Sequence, residues 1–138
     1  MRRTSVISFI LCCSLRLNAL TLYDETHLNY WQQALSQNPS PAWRHVAAVM
    51  LGKLADPASL PFLIGILQSE RDSATRAATA TALGRIGLPT ALDSLTYLMN
   101  HDEEPSVRSA ARSAIDRIHT KLKLRATQKE KLQSTASP

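Results

Sequence analysis

Hydrophobic positions recur along the middle of the chain with a period of 32 residues. Two columns hold large apolar side chains in every repeat: Leu51, Leu83 and Ile115, and Leu54, Ile86 and Ile118. Polar positions keep the same register in an arginine column that consists of Arg44, Arg76 and Arg108. A fixed period of 20 to 50 residues is typical of stacked-repeat architectures. The pattern divides the chain into three units, residues 24–55, 56–87 and 88–119.

Each unit is predicted to contain two amphipathic helices. In the first helix of the second unit, Leu60, Leu63 and Leu67 have the i, i+3, i+7 spacing that places side chains on one helix face. Polar N-cap candidates precede the second helices: Ser40, Asp72 and Glu104. No stretch alternates convincingly between apolar and polar residues with the period of a strand. We therefore expect an all-α protein.

The predicted second helices are rich in small residues. The stretch "TRAATATALGRIG", residues 75–87, consists largely of Ala and Thr. Small side chains let neighbouring helices of a stack approach closely, and alanine has the highest intrinsic helix propensity. Gly52 and Gly84 fall near the ends of second helices, where we expect a fraying turn to tolerate glycine.

The pattern resembles HEAT repeats, in particular those of the phycobilisome lyase type. "DSATRAATATALGRIGLPTALDSLTYLM" matches the motif of that family, and "EPSVRSAARSAIDRI" matches it less fully. Thr75 stands where the family usually has Val, and the third unit lacks the Gly-Asp ending. The resemblance covers residues 24–119. It implies a short α-solenoid of about three helix pairs that binds a partner, with lyase activity in a minority of members.

The two ends of the chain depart from the repeat. Near their start, residues 1–19 have Arg2 and Arg3; an apolar run from Val6 to Leu15 follows, and the segment ends at Ala19. This is the layout of a secretory signal peptide. Cleavage there predicts a periplasmic or secreted protein without Cys12 and Cys13; a cytoplasmic protein is the alternative. Within the third unit, three positions turn polar and predict a capping helix: Arg112, Ser113 and Asp116. Residues 120–138 are predicted to extend this helix by a few turns and then form a disordered basic tail.

The formal net charge of +5 is concentrated at the two ends of the chain. Residues 20–118 carry eight basic and ten acidic side chains. Nucleic-acid-binding proteins usually have a basic patch on the fold itself, so nucleic acid is not expected as a partner. Contact of the basic C-terminal tail with an anionic surface stays open.

Motifs of enzyme chemistry are not apparent in the sequence. It shows no Gly-rich phosphate loop, no G-x-S-x-G elbow and no nucleophile–base pairing. The densest group of potential metal ligands, residues 101–104, is interpreted as a helix-capping loop, because a few adjacent oxygen ligands are not sufficient evidence of a site for a hard cation. We therefore expect no cofactor, no metal and no catalytic residue. The expected function is a non-catalytic protein–protein interaction module, with a phycobilin lyase-like or pigment–protein assembly factor as the alternative.

Outward-facing residues of the first helices are the candidate partner-binding surface. They lie opposite the predicted core positions and are Asn29, Tyr30, Gln33, Phe62, Asp93 and Tyr97. Aromatic side chains supply large contact area at low entropic cost and are enriched among binding hot spots. We expect the three rings to form one stripe on the concave side of the stack. For Phe62, burial against neighbouring helices is an equal alternative.

The arginine column has two interpretations. In the functional one, three stacked guanidinium groups form an exposed anion site. In the structural one, each arginine pairs with an acidic cap or a helix-end carbonyl of its own or the adjacent unit. Asp72 and Glu104 each precede an arginine by four residues and are the candidate acids. We favour the structural interpretation, because a planar guanidinium fork suits fixed pairing.

Overall fold

The computed structural model describes residues 27–135. The helices in this part of the chain are α1 (27–37), α2 (Pro41–Leu54), α3 (Leu60–Ser69), α4 (Ser73–Ile86), α5 (Leu92–His101) and α6 (Pro105–Thr135). Short 3₁₀ turns, Pro57–Ser59 and Pro89–Ala91, lead into α3 and α5. No strand occurs between residues 27 and 135. The predicted all-α solenoid of about three helix pairs is confirmed.

Local hydrogen bonds explain where the helices begin. The Asp72 carboxylate accepts from the backbone N–H of Thr75 at 2.8 Å and from its hydroxyl at 2.7 Å, so Asp72 is the N-cap of α4 as predicted. Ser40 makes no side-chain cap hydrogen bond, and Pro41 occupies the first helical position of α2, where no N–H is needed. At the other end of α4, Gly87 adopts a φ of 72°, which suits glycine.

The helices form two layers with the core between them. The first helices of the units are α1, α3 and α5, and the second helices are α2, α4 and α6. Both layers contribute the large, fully buried side chains: Leu35, Leu51, Leu63, Leu83, Leu95, Val107 and Ile118. Leu51, Leu83 and Ile118 belong to the apolar columns of the repeat, whereas Leu54 at the N-terminal edge is exposed. Stacking the units joins these side chains into one continuous core.

The second helices are in close backbone contact. A Cβ atom added to Gly52 would lie 2.9 Å from the Cα of Ala82, and one added to Gly84 would lie 2.7 Å from the Cα of Ala114. The expected fraying turn is therefore the wrong explanation for these two glycines. Both are buried where α2 meets α4 and where α4 meets α6, and these positions have no room for a side chain.

The first helices are spaced more widely than the second helices. Between α3 and α5 the surface opens into a groove of about 620 Å³. The units therefore approach each other more closely on the side of α2, α4 and α6 than on the side of α3 and α5. The concave position of the aromatic stripe stays a prediction.

The C-terminal segment differs from the expected disordered tail, because α6 continues as a helix through Thr135. Residues 121–132 are dominated by Lys, Leu, Gln, Arg and Glu, which have high helix propensity, and they contain no Gly or Pro. From Lys123 onward every described residue is exposed. The predicted signal peptide, both cysteines and residues 136–138 lie outside the described part of the chain. Among the described helices, none has the length and apolar character of a membrane span.

Candidate functional site

The predicted aromatic stripe is divided by the fold. Tyr30 is 56% exposed and Tyr97 is 67% exposed, whereas Phe62 is half-buried and packs against the core. The polar members of the predicted surface are all exposed: Asn29, Gln33 and Asp93. Phe62 thus follows the burial alternative, and the exposed rings form two separate features instead of one continuous stripe.

Tyr97 lines the groove between α3 and α5. Its ring stacks on that of His101, with centroids 4.4 Å apart and planes 21° from parallel. His101 is held in turn by its Nδ1, which lies 2.9 Å from the carbonyl oxygen of Tyr97. Leu67 from α3 and Asp93 from α5 also line the groove. The groove therefore combines an apolar wall, a carboxylate and a positioned aromatic ring.

Two arginines of the column form bidentate ion pairs with the following unit. Arg44 donates from Nε and Nη2 to the Glu70 carboxylate at 2.8 and 2.9 Å. Arg76 donates in the same way to Asp102, also at 2.8 and 2.9 Å. The two carboxylates are only 6% exposed. Each pair therefore ties a second helix to the turn after the first helix of the next unit.

The third guanidinium nitrogen of every arginine in the column binds its own unit. In each case Nη1 donates to the carbonyl oxygens six and five residues earlier, at 2.7 to 3.3 Å. The accepting residues are Asn38 and Pro39 for Arg44, Glu70 and Arg71 for Arg76, and Asp102 and Glu103 for Arg108. These bonds fix all three guanidinium planes in one orientation relative to their units.

The ion pairs lower the pKa of Glu70 and Asp102. Burial raises the pKa of Glu70, but hydrogen bonds from Arg44 and from the Asp72 N–H outweigh it, so the pKa lies below its usual value. Burial likewise opposes ionisation of Asp102, and hydrogen bonds from Arg76 and the Glu104 N–H lower its pKa overall. Hydrogen bonding to Glu70 raises the pKa of Arg44. Both acids are thus ionised and paired at neutral pH.

These contacts are of the kind that the structural interpretation describes, but the acids are different ones. Asp72 caps α4, and Glu70 and Asp102 hold the arginines instead. Sequence reasoning missed both acids, although they are 32 residues apart and each follows its arginine by 26. For Arg44 and Arg76, the fork that an external anion would use is already occupied by a carboxylate.

The loop of residues 101–104 serves the same network. Asp102 accepts from the backbone N–H of Glu104 at 2.9 Å as well as from Arg76. Across residues 27–135, no group of three or more His, Cys, Asp or Glu side chains is arranged to hold a metal ion. The carboxylate chemistry of this loop is thus used to join two units.

The two edges of the stack differ in polarity. On α2, large apolar side chains are exposed at the N-terminal edge: Trp43, Val46 and Leu54. Their equivalents one repeat later in α4 are buried: Thr75, Ala78 and Ile86. On α6, the C-terminal edge is exposed and polar at the positions that the sequence predicted: Arg112, Ser113 and Asp116. The polar edge was predicted from the sequence, and the apolar edge was not.

Comparison with known families identifies the repeat type. A family model for HEAT repeats matches residues 28–116, from α1 into α6, which is more than half of the chain. A comparison with curated proteins finds no match.

Proposed function

Because this chain belongs to the HEAT-repeat family, whose repeats generally serve as protein-interaction scaffolds, we propose that it is a non-catalytic module that binds another protein. The observation that carries the proposal is the groove between α3 and α5 with its exposed Tyr97. The HEAT fold is typically non-enzymatic, which is consistent with a binding role.

Tyr97 has the properties of a binding hot spot. The ring is two-thirds exposed, yet its stacking on His101 already restricts its orientation. A partner that covers this ring therefore removes apolar area from water while little side-chain entropy is lost. Tyrosine also keeps a hydroxyl for hydrogen bonding and is among the residues most enriched in such positions.

The walls of the groove favour a side chain inserted between two units. Leu67 and Leu98 are each only 7% exposed and form its apolar lining from α3 and α5. Gln68 and Asp93 supply polar groups at the same groove. This arrangement of an apolar centre and a polar surround is the one found in protein–protein interfaces. The surface exists only because two units are stacked.

The test is partner capture with a surface variant. The full chain is immobilised, exposed to an extract of its native cell, and the captured proteins are identified by mass spectrometry. Replacement of both exposed rings, Tyr30→Ser with Tyr97→Ser, is expected to weaken capture at least tenfold, which corresponds to about 1.4 kcal/mol. Phe62 is left in place, because its half-buried ring packs on the core and its removal would destabilise the fold.

Asn100→Ser is the matched control, since Asn100 is exposed on α5 and does not line the groove. Its capture profile is expected to equal that of the wild type. Undiminished capture by the double tyrosine variant, with helicity unchanged by circular dichroism, would show that the partner binds elsewhere. A pigment-handling role would reveal itself separately, as a shift in the absorbance of added bilin.

A further inference from the structure

The bidentate ion pairs that Arg44 and Arg76 form with Glu70 and Asp102 are here called carboxylate clamps. Arg108, the last arginine of the column, forms only part of such a clamp. Arg108 donates from Nη1 to the carbonyl oxygens of Asp102 and Glu103 at 2.7 and 3.0 Å, which is the bonding pattern of Arg44 and Arg76. In those two arginines Nε and Nη2 hold a carboxylate of the next unit. For Arg108, no described side chain accepts a hydrogen bond from either nitrogen.

The equivalent position one repeat later does not supply an acid for Arg108. The position 26 residues after Arg108, where the other two arginines find their acid, is Ser134. Ser134 lies in the same helix as Arg108, about 39 Å further along its axis at 1.5 Å per residue. The fork therefore faces the C-terminal edge of the stack, where no fourth unit follows within α6.

The surroundings of the fork suit an anion. Arg108 lines a depression of about 240 Å³ together with Met99, Pro105, Ser109 and Arg112. Arg112 is exposed and lies one helical turn from Arg108, so it adds a second positive charge at the same opening. No carboxylate is among the residues that line the depression. Arg108 itself is half-buried, so its guanidinium is already partly removed from water.

We propose that Arg108, with Arg112 beside it, binds a carboxylate side chain of the partner protein at the C-terminal edge of the stack. This inference rests on the proposed function, namely that the partner is a protein. The two internal clamps define the ligand geometry: an Asp or Glu that meets Nε and Nη2 in a bidentate pair. In both clamps the carboxylate also accepts from the backbone N–H two residues later, so the acid lies in a turn.

A second copy of this chain does not fit as the source of that carboxylate. The N-terminal edge would have to present an acid at the position equivalent to Glu70 and Asp102, and this position is Asn38. The same edge exposes Trp43 and Leu54, which do not complement the polar C-terminal edge. Head-to-tail stacking of copies would therefore bury charged groups against apolar ones.

The probe for this site is a synthetic peptide with the sequence NHDEEPS, which copies the turn that carries Asp102. It is titrated into the isotopically labelled full chain and followed by nuclear magnetic resonance. We expect saturable shifts of the Arg108 Nε–Hε signal and of the Ser109 and Arg112 amides, which weaken with salt. The same peptide with Asn in place of its single Asp is expected to bind at least tenfold more weakly.

Protein variants distinguish bidentate binding by the Arg108 guanidinium from simple attraction by its positive charge. Arg108→Lys keeps the positive charge but cannot make the bidentate pair, and peptide affinity, read from the Ser109 amide, is expected to fall at least tenfold. Arg125→Gln removes an exposed positive charge further along α6 and is expected to leave the affinity unchanged. If Arg108→Lys lowers the melting temperature, its amide spectrum still reports whether the fold persists at the titration temperature.

Three results would overturn the inference: equal binding of the Asp and Asn peptides, unchanged affinity in Arg108→Lys, or equal shifts with acetate or inorganic phosphate at the peptide's concentration. The last result would mean a site for small anions. Partner capture keeps this test distinct from that of the proposed function. A chain that captures no protein contradicts the proposed function, whereas capture that survives both Arg108→Lys and Arg112→Gln contradicts only this inference.

Discussion

Gly84→Ala is expected to destabilise the protein, although alanine is the better helix former. Gly84 is buried in α4, and the added Cβ would lie 2.7 Å from the Cα and 2.8 Å from the Cβ of Ala114 in α6. Optimal carbon–carbon contacts lie near 3.5 to 4.0 Å, so α4 and α6 must move apart by about 1 Å. The nearest atom belongs to the backbone, and no side-chain rotation can relieve the contact.

The size of the stability loss in Gly84→Ala follows from two opposing contributions. Replacing glycine by alanine inside a helix gains up to about 1 kcal/mol of helix propensity, and less at Gly84, which is close to the end of α4. Overpacking a well-filled contact costs about 1–3 kcal/mol, and more when backbones must separate. We expect a net loss of about 1–3 kcal/mol in the free energy of unfolding. At about 4–8 °C per kcal/mol for a domain of this size, the melting temperature should fall by about 5–20 °C.

The chain supplies its own control in Gly65→Ala. Gly65 is exposed in α3, and a Cβ atom there meets nothing within 4 Å. The same chemical change should therefore stabilise the protein by about 0.5–1 kcal/mol through helix propensity alone. Thermal and urea unfolding are followed for both variants by circular dichroism at 222 nm. If the two substitutions shift stability in the same direction, close backbone contact does not explain Gly84.

Four further predictions concern individual sites. Ser59 has a fully buried hydroxyl that finds no hydrogen-bond partner among residues 27–135. Ser59→Ala should therefore raise the free energy of unfolding by about 1 kcal/mol in urea titrations, and a lower free energy of unfolding would mean that the hydroxyl is hydrogen-bonded. Arg76→Ala should lower the free energy of unfolding by about 1–3 kcal/mol at pH 7, because the buried Asp102 carboxylate loses its partner. Arg112→Ala, on the exposed C-terminal edge, is the control and should leave the free energy of unfolding nearly unchanged. The pKa of Asp102 is lower in the folded state than in the unfolded state, so its ion pair with Arg76 stabilises the wild type above about pH 4 and less as the pH falls further. If Arg76→Ala loses as much free energy of unfolding as the wild type between pH 7 and pH 3, this ion pair is not the cause. Export with cleavage after Ala19 predicts a mature N-terminus at Leu20, and an intact Met1 on the purified protein by N-terminal sequencing would exclude it.

The repeat and its helices were readable from the sequence because their signals are local. Apolar side chains at helical spacing place Leu60, Leu63 and Leu67 on one face, and an acid before a helix start identifies Asp72 as a cap. The 32-residue period then determines which helices are equivalent. None of these inferences needs to know how one helix lies against another.

The pairing of the arginines was decided by the tertiary structure. Arg76 lies close in sequence to Asp72, which is the acid that sequence spacing favours, but it binds Asp102, 26 residues away. The choice depends on where the next unit places its turn, since a bidentate pair requires both oxygens to meet a guanidinium already oriented by two carbonyls. That geometry exists only after two units have stacked.

Helix spacing likewise depends on tertiary contacts. The sequence shows glycine at positions 52 and 84, but not why it is needed there. The structure shows that a side chain at either position would collide with the backbone of the next second helix. The close approach of α2, α4 and α6 spreads the first helices, which leaves Tyr97 in an open groove and Phe62 half-buried against the core, although both were expected on one surface. The period of the sequence thus determined which residues are equivalent, and the distance between stacked helices decided which equivalent residues reach solvent.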